Sequence, residues 1–145
     1  MIIRRAEPGD LAQIAQIEWL CFPEETAFPP GMLAYLIRYS VALVACEPAE
    51  KVLGFIIGYA SGTGGAIYTL DVHPLYRRRG IGKELIKALE EELRSHGVVT
   101  VRLEAALEKP GAMELYHKAG YRARELVKNY YGRGKHAVRM WKMLR

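Results

Sequence analysis

The chain has 145 residues, 50% of them hydrophobic and 26% charged, with 21 basic against 16 acidic side chains and a formal net charge of +5. That length supports one core rather than two, and the composition is that of an ordered globular chain. No apolar run approaches the roughly 18 residues of a membrane span, and the opening MIIRRAEPGD lacks the apolar core of a secretion signal, so a cytoplasmic protein is expected.

Residues 2–6 (IIRRA) alternate weakly and read as a first strand. A helix follows, with Asp10 as its N-cap and Leu11, Ile14, Ile17 and Leu20 recurring along one face. Residues 23–30 (PEETAFPP) form a proline-broken loop, and 31–40 a second short helix. Two β-rich runs, 41–46 and 51–61, are joined by the hairpin-like EPAE, and 66–72 (AIYTLDV) is a strand after the turn GTGG. Residues 81–94 form an amphipathic helix with Ile81, Leu85, Leu89 and Leu93 in one row. A strand over 98–105 and a helix over 111–121, closed by Gly120, come next. Two strands, 121–127 and 136–144, flank KNYYGRGK. The order β-α-α-β-β-β-α-β-α-β-β predicts a mixed α/β sheet in a single domain, with right-handed crossovers from its central strands.

Cys21 and Cys46 have neither a CxxC spacing nor a histidine companion, so no metal site is expected and both are read as small buried apolar side chains. The positive charge suits an anionic ligand. Its place is the stretch TLDVHPLYRRRGIGKELIKAL, residues 69–89. This is not a Walker loop, and the dinucleotide fingerprint fails because Leu85 stands where a third glycine belongs. A solvated strand-to-helix turn would use similar residue types. Yet Gly80 and Gly82 permit close backbone approach, a helix start offers unpaired N–H groups, and Arg77, Arg78, Arg79 and Lys83 surround it with positive charge. A pyrophosphate fits that description.

Val72, Pro74, Arg77, Gly80 and Gly82 spell V-x-P-x-x-R-x-x-G-x-G, which resembles the acetyl-CoA signature of the GNAT N-acetyltransferase superfamily. With VRLEA, ELYHKAGY and KNYY following in order, nearly the whole chain resembles the amino-terminal (Nα) acetyltransferases of the RimI type and their archaeal and eukaryal relatives. The resemblance implies a GNAT fold: a splayed mixed sheet that admits acetyl-CoA between the strands ending at Val72 and Glu104. Leu70, Asp71 and Val72 would pair with the pantetheine arm as a strand does, and a backbone N–H near Val72 would hold the thioester carbonyl. Arg77, Arg78, Arg79, Gly80, Ile81, Gly82 and Lys83 would cradle the pyrophosphate. Lys109 stands where many such enzymes carry a cofactor-contacting asparagine. Phe22 and Pro23 would wall the pocket for the first residue, with Glu24 near the incoming amine. Asn129, Tyr130 and Tyr131 would grip the peptide backbone. His73, between Val72 and Pro74, is read as structural.

Acetyl transfer to an amine needs a neutral nitrogen, a polarised carbonyl and a proton for the departing thiolate. A peptide α-amine, with a pKa near 8, is easier to deprotonate than a lysine near 10.4. One carboxylate, acting directly or through water, suffices as base if burial raises its pKa. The resemblance gives that role to Glu104 and gives Tyr116 the role of the acid that returns a proton to sulfur. The expected function is acetylation of protein N-termini, with ribosomal proteins among the candidate substrates and neither membrane nor direct nucleic-acid contact. Three alternatives stay open: a small-amine acetyltransferase for polyamines or aminoglycosides, a non-catalytic basic module bound to ribosome or RNA, and a cofactor-binding regulator.

Overall fold

The computed structural model describes residues 1–22 and 26–144. Its elements are β1 (Ile2–Arg5), α1 (Leu11–Cys21), α2 (Pro30–Tyr39), β2 (Val41–Glu47), β3 (Lys51–Ser61), β4 (Gly64–Val72), α3 (Ile81–Ser95), β5 (Thr100–Ala106), α4 (Pro110–Lys118), β6 (Arg122–Val127) and β7 (Ala137–Met143). This is the order expected from the sequence. The seven strands form one mixed sheet, β1-β2-β3-β4-β5-β7-β6, in which β4 and β5 alone run parallel. The β3–β4 hairpin turns on two residues, with Gly62 at φ +60 in the left-handed region a tight turn demands. Strand β4 therefore starts at Gly64, two residues before the apolar run suggested.

Two layers cover the sheet. On the back, Ile81, Leu85, Leu89 and Leu93 of α3 are all buried against Leu43, Leu53 and Ile56, and Val101 and Leu103 of β5 extend the same core. Each such side chain contributes about 1.5–3 kcal/mol by leaving water. On the front, Ile14 and Ile17 of α1 and Leu33 and Leu36 of α2 pack on Val44, Val52, Phe55 and Ile57. A polar staple crosses the back layer, where Glu90 of α3 accepts from the Tyr121 hydroxyl at 2.9 Å and from Lys142 Nζ at 2.8 Å.

The feature that matters for function is where the sheet comes apart. Strands β4 and β5 pair only from Gly64 opposite Thr100 to Ile67 opposite Leu103. At that point Tyr68 bulges from the ladder with β3, since Ile57 faces Thr69 while Gly58 faces Ile67. A bulge bends its strand and sharpens the twist. Beyond it, residues 69–72 stay paired to β3 but, like Tyr68, lie opposite no residue of β5. The expected splay between strands ending at Val72 and Glu104 is present.

Three expectations for the first helix need correction. Its buried face is Ile14, Ile17 and Glu18, while Leu20 is 48% exposed, because a true 3.6-residue period drifts off a strict i, i+3 row. Cys21 is only half-buried, although Cys46 is buried as expected, and the two thiols are free. Asp10 precedes α1 but makes no side-chain bond to its N–H groups. Its carboxylate is bidentate with Arg4 at 2.8 and 3.0 Å and takes the Glu7 N–H at 2.8 Å, capping the 3₁₀ turn Pro8–Asp10 instead. Arg4 holds the Asp10 carboxyl below its usual range. A depressed folded pKa adds stability above the unfolded value, about 3.9, and loses it as pH falls through the folded one. Asp10→Asn is expected to lower stability by about 1–3 kcal/mol at pH 7, with the gap to wild type closing in strong acid. Thermal melts across that range check it.

Candidate active site

The splay opens a cleft of about 900 Å³ between β4 and α4. Leu70 and Val72 form one wall. In an antiparallel strand, alternate residues turn their N–H and C=O groups to opposite sides. The N–H of His73 is bonded to Leu53 of β3, so Val72 turns its N–H and C=O away from β3, into the gap. Cys21 Sγ at 3.5 Å and Arg77 Nε at 3.2 Å reach the Val72 carbonyl from that open side. A second extended chain placed in the gap would find a strand edge ready to pair.

At the cleft's far end α3 begins. Gly80 caps it at φ +78, and the first-turn N–H groups of Ile81, Gly82 and Lys83 have no carbonyl one turn back inside the helix. Arg77, Arg78 and Lys83 line the same space, and Arg78 holds an unusual φ of +65. A Cβ on Gly82 would sit 3.0 Å from Leu115 Cδ2. Backbone donors, a helix start and three cations around one groove fit a pyrophosphate, so the residues present suit coenzyme A. Arg79 is placed elsewhere, stacked over the Tyr76 ring at 5.2 Å and absent from the lining. His73 is structural as expected, its Nδ1 accepting from the Leu75 N–H at 3.1 Å.

Tyr116, 8% exposed, lines the cleft from α4 with its ring edge-on to Tyr121. Burial first, then the charges of Asp71 and Tyr131, push its phenol above the ordinary value, so it stays protonated near neutrality. Asp71 lines the cleft too. Its side chain faces the opposite side of β4 from Leu70 and Val72, toward Glu18 of α1, and burial and Glu18 push it well above the usual carboxylate range. The sequence reading used Asp71 only for its backbone and missed Glu18. The available signals were an acidic residue on the apolar face of α1 and another inside the run TLDV.

Glu104 sits on the front face of β5, opposite Arg139 of β7. Its Oε2 accepts from Arg139 Nε at 2.8 Å and lies 3.2 Å from Arg102 Nε, while Oε1 accepts from the Tyr130 hydroxyl at 3.3 Å. The Tyr131 hydroxyl donates to the Glu104 carbonyl at 3.0 Å. Tyr130 and Tyr131 are thus brought to Glu104, and Glu104 carries guanidinium partners that sequence reading did not foresee. Asn129 is placed differently. At φ +58 it shapes the β6–β7 turn, its Oδ1 taking the Gly134 N–H at 2.8 Å.

A second cavity of about 220 Å³ adjoins the cleft, sharing Phe22 and Lys109 as walls and bounded by Tyr131 and Ala106. Lys109 ties the two sides together. Its ammonium donates to the Cys21 carbonyl at 2.6 Å and lies over the Phe22 ring at 4.1 Å. Pro23 and Glu24 lie outside the described residues. Among those described, no three metal-type ligands gather and no helix is long and apolar enough to cross a membrane.

Comparison with known proteins gives this geometry a lineage. The acetyltransferase (GNAT) family matches over residues 11–121. The chain belongs to that family. It is 32% identical to an uncharacterized N-acetyltransferase of Methanocaldococcus jannaschii, over 98% of this chain and 91% of that one. An N-alpha-acetyltransferase of Sulfurisphaera tokodaii is 27% identical over 95% and 90%. Among solved structures, Ard1 from Thermoplasma volcanium superposes with a TM-score of 0.90 at 26% identity, covering 99% of this chain and 97% of that one. An aminoglycoside 6'-acetyltransferase type Ii gives 0.83 at 27% identity, over 99% and 97%. This GNAT protein is an acetyl-CoA-dependent N-acetyltransferase.

Proposed function

We propose that this N-acetyltransferase acetylates the α-amino group at protein N-termini. The observation that carries the reading is the small cavity joined to the cofactor cleft at Phe22 and Lys109. At about 220 Å³ it suits the side chain of a first residue and falls below the 300 Å³ or more typical of a pocket enclosing a drug-sized ligand. Among the described residues, Lys109, Lys135 and Glu108 are the charged side chains that line it, a balance that disfavours a polycationic small substrate. The likeness to an N-alpha-acetyltransferase supports a protein substrate, and ribosomal proteins belong to that class.

In this reading the backbone of Leu70, Asp71 and Val72 pairs with the pantetheine arm, and the Val72 N–H polarises the thioester carbonyl. The backbone of residues 78–83, with the side chains of Arg77, Arg78 and Lys83, holds the pyrophosphate. Phe22 and Tyr131 flank the first residue, and Pro23, Glu24 and Tyr130 complete the peptide side. Glu104 receives a proton from the amine directly or through water, and Tyr116 donates one to sulfur. Lys109, released from the Cys21 carbonyl, reaches cofactor or substrate.

The test offers acetyl-CoA with a library of short peptides, an aminoglycoside and a polyamine, reading products by mass spectrometry. Acetylation confined to peptide α-amines is expected. Preference for the aminoglycoside or polyamine would overturn the protein-substrate reading while leaving the family intact.

A further inference from the structure

Asp71, which lines the cleft, lies beside Glu18 of α1, each 2% exposed. The Thr69 hydroxyl donates to Asp71 Oδ1 at 2.8 Å and lies 3.4 Å from Glu18 Oε1. Glu18 Oε2 accepts the Phe28 N–H at 2.9 Å. Asp71 Oδ2 is buried, and no donor among the described residues reaches it. Two carboxylates placed together out of water cannot both ionise, so they hold one proton between them and carry a single negative charge. That charge lies within electrostatic reach of Tyr116 on α4, Cys21 on α1 and Lys109 after β5. The Cys21 thiol, pushed up to about 11 by burial and then by Asp71, stays neutral despite Arg77 beside it.

The chemistry has room for such a group. A primary ammonium must lose two protons to become an amide, whereas Glu104 is one acceptor with both oxygens already engaged. Resting on the amine-acetylation reading above, we propose that the Glu18–Asp71 pair, meeting the cleft at Asp71, takes the first proton of the substrate ammonium, leaving the second to Glu104. An ammonium N–H bond breaks and an O–H bond forms on the pair, and the freed lone pair attacks the thioester carbon. The C–N bond forms, the nitrogen gives its second proton to Glu104, and the C–S bond breaks as Tyr116 protonates sulfur. Tyr116 then regains one of the two stored protons, and the other leaves to solvent. The steps are coupled through charge. The pair's single negative charge helps hold the proton on Tyr116, and protonating the pair removes that hold when the sulfur needs its proton.

The experiment is kcat/KM against pH, from 6 to 10, on the best peptide at saturating acetyl-CoA. Asp71→Asn is expected to lose roughly 10²-fold at pH 7, with the loss shrinking several-fold above the α-amine's pKa near 8, where the substrate arrives neutral. Glu18→Gln removes the acidic neighbour and supplies an N–H donor to Asp71, so the acidic limb of the profile moves to lower pH. A defect constant across pH with an unmoved limb in Glu18→Gln, or full activity in Asp71→Asn, overturns the proposal and reduces the cluster to a packing contact. Should the variants fold poorly, infrared spectra of the unmutated protein decide: a protonated-carboxyl C=O stretch must persist at pH 7, and its absence overturns the pair. Failure of the N-terminal reading looks different. The unmutated enzyme would then prefer another amine, and the Asp71→Asn defect would fade near that amine's pKa instead.

Discussion

Glu104→Gln is expected to lower turnover on the best peptide by roughly 10²–10⁴-fold, with acetyl-CoA affinity near that of wild type. The substitution keeps the shape of the side chain and removes its capacity to take a proton. Its surroundings make the experiment informative in two ways. First, Arg139 and Arg102 lose a carboxylate partner, so a stability loss is expected alongside, and melting must be measured with the kinetics. Second, the defect should persist at high pH, because the proton that leaves nitrogen as the amide forms must go somewhere whatever the amine's initial state. Tyr116→Phe removes one hydroxyl whose ring packing on Tyr121 is independent of it, so turnover should fall without unfolding α4. Wild-type turnover in both variants would refute the assignment of chemistry while leaving fold and cofactor untouched.

The fold was legible because its signals are local and strong. The row Ile81, Leu85, Leu89, Leu93 belongs to one helix, and the β-rich run 51–61 needs no partner to be recognised. The splay was expected from resemblance, but its physical cause was not readable, since a bulge at Tyr68 exists only relative to the register of β3. The same limit explains the site. Glu104 could be nominated from VRLE, yet its partner Arg139 comes from a strand far along the chain and arrives only through the β5–β7 pairing. Lys109 meets Cys21 and Phe22 across the mouth of the cleft, a contact no spacing rule contains. Glu18 and Asp71 lie on different elements, so the sequence marks each as an acid in apolar surroundings but not that the fold buries them together. Asn129 shows the reverse ambiguity. A residue type suited to gripping peptides is also the type that tolerates left-handed turns, and at φ +58 the turn takes its side chain.

Gly82→Asp is expected to weaken acetyl-CoA binding by two to three orders of magnitude while leaving the protein folded. The steric part of this effect is small. The tight contact of a Cβ at Gly82 is with the end of the Leu115 side chain at 3.0 Å, which can shift by a few tenths of an ångström, and Val72 Cγ2 at 3.7 Å is in ordinary contact. Gly82 is the second residue of α3, where a carboxylate is favourable for the helix itself, stabilising the first turn by about 0.3–1 kcal/mol. What the variant changes is the sign of the charge facing the ligand. Backbone donors that would hold a pyrophosphate acquire a neighbour that repels it. At about 4 Å and an effective dielectric near 20 that repulsion is about 4 kcal/mol per charge pair, reduced by screening at the cleft mouth. Gly82→Ala separates the two causes, because it adds the same Cβ without the charge and should bind within a few-fold of wild type. Isothermal titration with acetyl-CoA reads both variants. Equal affinity in wild type and a folded Gly82→Asp protein would place the phosphates away from the α3 start, and a severe loss in Gly82→Ala would make packing against Leu115 the determinant.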